Sequence, residues 1–153
     1  MPRLVEIRRS QGMTLLELVV AMTAALIVAS IAIPAYNGYV TRARVSLAIG
    51  EIGTISLQLY RWQLSTRSFP ATLTEAGLDA NDPWGRPYQY MRVEGANRGD
   101  LRKDRNLVPI NTDFDLYSVG PDGRSALPLT AAFSQDDVVR ANNGSFVGLG
   151  KNY

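Results

Sequence analysis

The sequence predicts an α+β chain: one long N-terminal helix, apolar in its first half, carrying a small antiparallel sheet and an irregular C-terminal region. Three observations predict it. From Met13 to Ala35 run 23 residues of which only Glu17 is charged, and an apolar stripe at spacings of three and four continues the helix toward Trp62. Behind Trp62 the pattern breaks into short alternating runs separated by Gly, Pro, Asn and Asp, as strands joined by turns require.

The apolar run is long enough to cross a bilayer core, which takes roughly 20 helical residues. Arg3, Arg8 and Arg9 precede it and favour a cytoplasmic N-terminus; Arg42 and Arg44 beyond it weaken that asymmetry without reversing it. Glu17 is the anomaly, because an ionised side chain at that depth costs about 2.5–3.5 kcal/mol and so calls for a partner. A secretory signal peptide has a shorter apolar region and no acid near its start. The pair Arg8-Arg9 is a weak match to a twin-arginine signal. A plain membrane anchor explains everything except Glu17 and the glycine before Met13.

A basic leader ending in Gly12, then Met13-Thr14-Leu15-Leu16-Glu17 and an apolar helix, resembles the N-terminus of the type IV pilin superfamily, which includes the pseudopilins of type II secretion. The resemblance implies that a membrane aspartyl peptidase cuts between Gly12 and Met13 and N-methylates Met13. It also implies that Glu17, the fifth residue after the cut, pairs with the amino terminus of a neighbouring subunit in a filament. Most family members have phenylalanine where this chain has Met13.

Composition narrows the alternatives. The formal net charge is +2, with 16 basic and 14 acidic residues, but removing residues 1–12 leaves 13 of each and takes away the argument for an anionic partner. Cysteine and histidine are both absent, which removes disulfides, thiol chemistry and the commonest general base and metal ligand. The acids cluster in turns, so no catalytic constellation emerges. Basic and aromatic residues do not interleave as on a nucleic-acid surface.

In chain order, Pro34 is a place for a kink. The stripe Tyr36, Val40, Ala43, Leu47, Ile55, Leu59, Trp62 extends a helix from about Thr14 to Trp62, roughly 70 Å at 1.5 Å per residue, with one face for a domain. Gly50 and Gly53 disfavour a helix and suggest a close approach of another element. Ser65 to Asp82 reads as a connector with one helical turn, and Asp82-Pro83-Trp84-Gly85-Arg86-Pro87 as a turn. Tyr88–Val93 and Asp115–Val119 read as strands. Gly95 to Asn106 reads as a solvated charged loop, and Gly120-Pro121-Asp122-Gly123 as a turn set by proline and glycine. The tail from Arg124 shows little periodicity. In it Ser134-Gln135-Asp136-Asp137 reads either as a helix N-cap with acids in the first turn or, with Asp122 and loop carbonyls, as a site for Ca²⁺, a cation of six to eight oxygen ligands. Asn143-Gly144-Ser145 matches a glycosylation sequon too short to carry weight.

The segments Asp82–Tyr88, Asp115–Ser118 with Gly120–Gly123, and Asp136-Asp137-Val138 resemble the major pseudopilins of type II secretion. In that family a calcium ion pins the C-terminal loop. The resemblance carries the ion to Asp122 and Asp137, with the carbonyls of Leu116 and Val119 as further ligands. This chain departs from the pattern by the insert Ser125 to Gln135.

The expected organisation is a leader over 1–12, a transmembrane and filament-core helix over 13–35, an amphipathic helix over 36–64 and a pilin-like head over 65–153. The expected function is that of a structural subunit rather than an enzyme. It is stored in the inner membrane with its head in the periplasm and polymerises into a helical filament that supports protein export. Its expected partners are copies of itself, the prepilin peptidase, an assembly ATPase with its inner-membrane platform, and minor pseudopilins. A type IV pilus subunit is the alternative; it would more often carry a cysteine pair. A solitary membrane-anchored binding domain is the second.

Overall fold

The structure, a computed structural model, describes residues 12–153; the leader up to residue 11, with its arginines, lies outside them. The chain divides into two units, Met1–Tyr39 and Val40–Tyr153. One helix, α1 (Leu15–Thr66), contributes to both. In the first unit its apolar side chains are exposed, from Leu15 through Ile33 to Tyr39, and the segment is long and apolar enough to cross a membrane.

In the second unit α1 buries Ala48, Ile52, Ile55, Ser56 and Leu59. Together with half-buried Val45, Ile49 and Tyr60 these fall at steps of three and four, one helical face. The expected stripe had the wrong phase in its first half. Leu47 is exposed, as are Tyr36 and Ala43, while Ala48 and Ile52 bridge the step from Leu47 to Ile55. Hydrophobicity favours leucine over alanine, but an alanine at the face lets the sheet side pack closer. Gly50 and Gly53 have nothing within 4 Å of an added Cβ, so no element approaches them. The helix runs beyond Trp62 and stops at Arg67, whose φ of 65° is left-handed and whose N–H reaches back to the Gln63 carbonyl at 2.7 Å; such a residue ends a helix by satisfying a carbonyl left over in its last turn.

The sheet is antiparallel throughout, in the order β1 (Gln89–Arg92), β2 (Phe114–Ser118), β3 (Val138–Ala141), β4 (Phe146–Leu149). Tyr90 faces Leu116, Tyr117 faces Val139, and Val139 faces Gly148. β1 and β2 fall where the sequence places them to within a residue or two. β3 and β4 lie in the tail expected to be irregular. Their signal is Asn142-Asn143-Gly144 between two short apolar runs, and all three residues have positive φ, as a tight hairpin turn demands. Asn143 also pins the turn: its N–H donates to Asn111 Oδ1 at 2.9 Å, and its Oδ1 accepts from the Thr112 N–H at 2.9 Å.

The core lies between α1 and the sheet and includes Ile52, Leu59, Phe69, Tyr88, Phe114, Leu116 and Val138. Phe114 is fully buried, its ring centroid 5.0 Å from that of Phe69 and 5.8 Å from those of Tyr60 and Tyr90. A smaller cluster of Ile110, Leu129, Val139 and Ala141 gathers the loops.

Candidate processing, assembly and cation sites

Gly12 and Met13 precede α1 and are exposed, outside the helical hydrogen bonds that begin with the Leu18 N–H donating to the Thr14 carbonyl. The first N–H groups of a helix lack partners within it, and Thr14 and Glu17 supply them reciprocally. The Glu17 N–H donates to Thr14 Oγ1 at 3.2 Å, while the Thr14 N–H and hydroxyl donate to Glu17 Oε2 at 2.9 and 3.0 Å. This is a capping box, whose signal in the sequence is a Thr three residues before a Glu ahead of an apolar run. It gives the Glu17 carboxylate two donors within its own chain and a fixed position at the start of the apolar segment.

The second constellation joins the motif turns. Asp82 is buried; its Oδ1 accepts from the N–H groups of Trp84 and Arg86 at 3.0 and 2.9 Å, and its Oδ2 from the Ser118 hydroxyl at the end of β2. Arg86 in turn donates to the carbonyls of Gly120 and Pro121. The Asp82–Pro87 turn is thereby bolted to the Gly120–Gly123 turn, 34 residues away in sequence. Gly120, at φ 65°, packs so tightly that an added Cβ would lie 2.5 Å from the Asp136 carbonyl oxygen.

The two carboxylates expected to hold an ion have separate surroundings. Asp122 is exposed, its Oδ1 taking the Arg124 N–H at 2.8 Å, and its own N–H faces Asp136 Oδ2 at 3.4 Å. Asp137 is fully buried and accepts through Oδ2 from Arg102 Nη2 at 2.7 Å and from the Ser125 hydroxyl. Burial pushes the Asp137 carboxyl above its ordinary value, against the hydrogen bonds from Ser125 and Arg102; burial raises Asp115 likewise, against Asn111 and the Arg102 N–H. Leu116 is buried within β2 opposite Tyr90, and Val119 follows that strand. Among the described residues no three acidic side chains converge as a metal site. The N-cap reading of Ser134 is overturned: a 3-10 turn, Ala132–Ser134, ends there, and the buried Ser134 hydroxyl donates to the Ala126 carbonyl at 2.6 Å and accepts from its N–H at 2.9 Å. The expected solvated loop is also corrected, since Leu101 and Arg102 are both buried.

Comparison with known proteins fits this geometry. A family model described as the prokaryotic N-terminal methylation motif matches residues 7–33. Three curated relatives share the name type II secretion system core protein G. The one from Pseudomonas aeruginosa is 28% identical over 141 residues, covering 76% of this chain and 87% of that protein. The one from Aeromonas hydrophila is 28% identical over 142 residues, covering 77% and 87%, and that from Dickeya chrysanthemi 27% over 140, covering 76% and 80%. No solved structure matches significantly. The methylation motif, the long apolar helix on its four-stranded sheet and these relatives together bear out the resemblance: the chain has a pilin-like arrangement and is similar to the type II secretion core protein G.

Proposed function

We propose that the chain is a structural subunit of a type II secretion pseudopilus, cut between Gly12 and Met13, N-methylated at Met13 and polymerised into a helical filament that supports protein export. The observation that carries this reading is the methylation motif over residues 7–33 at the head of a chain similar to core protein G over most of its length. Physical chemistry supplies the rest. The exposed apolar side chains of α1 up to Tyr39 are stable only in lipid or against copies of the same helix. Head-to-tail contacts between such copies do not close and so propagate as an open helix. In the inner membrane, with the head on the periplasmic side, Glu17 is held by Thr14. In the filament the amino terminus of a neighbour supplies a full opposite charge.

A prepilin peptidase, an assembly ATPase with its membrane platform, and minor pseudopilins are the partners this function requires. The relatives favour the secretion filament over a type IV pilus. The test is the intact mass and N-terminal sequence of the protein extracted from its native membrane. A chain beginning at Met13 with one added methyl group is expected; an intact leader, or a cut beyond Ala35, would overturn the reading.

A further inference from the structure

The calcium ion implied by the resemblance does not fit the donors around Asp137, because an arginine already occupies the place where its charge would act. Arg102 comes from the segment between β1 and β2 and is 2% exposed. Its guanidinium donates to Asp137 Oδ2 at 2.7 Å and to the Ser125 hydroxyl, and lies 4.1 Å from the Tyr117 ring centroid. Its N–H donates to Asp115 Oδ2 at 2.8 Å, and its carbonyl accepts from the Ile110 N–H at 3.0 Å. The next residue, Lys103, bonds through its backbone to Leu127 and Leu129 at 3.0 and 2.9 Å. One side chain and its peptide thus join β2, the 124–135 segment and the entry to β3.

We propose that in this chain the Arg102 guanidinium replaces the divalent cation. The C-terminal region is then pinned by an internal ion pair, and the head folds without calcium.

Three further observations support the assignment. The buried atoms Asp137 Oδ1 and Arg102 Nε both lack a hydrogen-bond partner, one an acceptor and the other a donor on the same two residues. An acceptor and a donor left over on one ion pair are the two groups that a two-pronged arginine–carboxylate contact uses. Arg86 places a second cation on the Gly120 and Pro121 carbonyls of the turn that carries Asp122. A doubly charged ion held between that turn and Asp137 would meet this guanidinium as well as that of Arg102, and like charges repel. Finally, the Asp137 carboxylate is bonded by Arg102 and Ser125 and that of Asp122 by the Arg124 N–H, whereas calcium needs six to eight oxygens on one centre.

The inference concerns the head and is independent of filament assembly. Its test is thermal unfolding of the full-length protein in detergent, with chelator and with calcium. A site filled to a hundred times its dissociation constant would raise the melting temperature by about 5–10 °C for a chain of this size. The expected result is the same melting temperature in both conditions; a rise of that order with calcium overturns the proposal. Arg102→Met is expected to melt several degrees lower, and adding Asp137→Leu to recover part of the loss, since no carboxylate is then buried alone. An Arg102→Met protein that melts like the wild type also overturns it. Should that variant not fold, the comparison of wild-type protein with and without calcium still decides.

Discussion

Arg140 on β3 grips Asp113 with both prongs of its guanidinium, Nη2 to Oδ2 at 2.6 Å and Nη1 to Oδ1 at 2.9 Å. Tyr60 of α1 closes the triangle. Its hydroxyl accepts from Arg140 Nη2 at 2.7 Å and donates to Asp113 Oδ2 at 2.8 Å, so one cation ties the helix to the sheet. The guanidinium lies 3.9 Å from the Phe114 ring centroid, which gives the charge an aromatic face as well as an anion.

Arg140→Met should lower the unfolding free energy by about 3–5 kcal/mol, because it leaves the partly buried carboxylate without its cation. Arg140→Lys should recover little of that, since an ammonium cannot form the two-pronged contact. Denaturant titrations of the three proteins in the same detergent check both statements.

Acid should weaken this same junction. Burial opposes ionisation of Asp113, but hydrogen bonds from Arg140, the Phe114 N–H and Tyr60 outweigh it and hold the carboxyl below its ordinary value of 3.8. The folded state therefore binds the proton less readily than the unfolded one. Its stabilisation is fully present above pH 3.8 and is lost as pH falls through the lower folded value. Stability measured from pH 6 downward should fall less steeply in Asp113→Asn, from a lower start; equal slopes would contradict this account.

Two glycines should respond to alanine in opposite directions. Gly120→Ala sets a Cβ against the Asp136 carbonyl at positive φ and should cost at least about 1–3 kcal/mol. Gly53→Ala meets nothing within 4 Å inside α1 and should stabilise the subunit by about 0.5–1 kcal/mol. Melting temperatures of the two variants decide the signs.

Glu17→Leu should leave membrane insertion intact and abolish filament assembly, read by membrane fractionation and by electron microscopy of sheared filaments. Filaments of normal abundance from this variant would refute pairing of Glu17 with a neighbour's amino terminus.

The sequence by itself determined the long N-terminal helix with its apolar first half, the first two strands and the turns around Asp82 and Asp122. Each is written in a contiguous stretch: hydrophobic run length, period-two alternation, or proline and glycine at set positions. The tertiary structure decided the rest. Which face of α1 is buried depended on what lies opposite, and Ala48 rather than Leu47 met the sheet. β3 is buried along its whole length and β4 does not alternate, so neither shows a period of two; they form because β2 offers an edge to β3, and β3 one to β4. In sequence Arg102 falls in a stretch that reads as a solvated loop, and Arg140 in a tail with little periodicity. They are buried because Asp137, 35 residues from Arg102, and Asp113, 27 from Arg140, come to meet them; no local pattern encodes a partner that folding alone brings within reach.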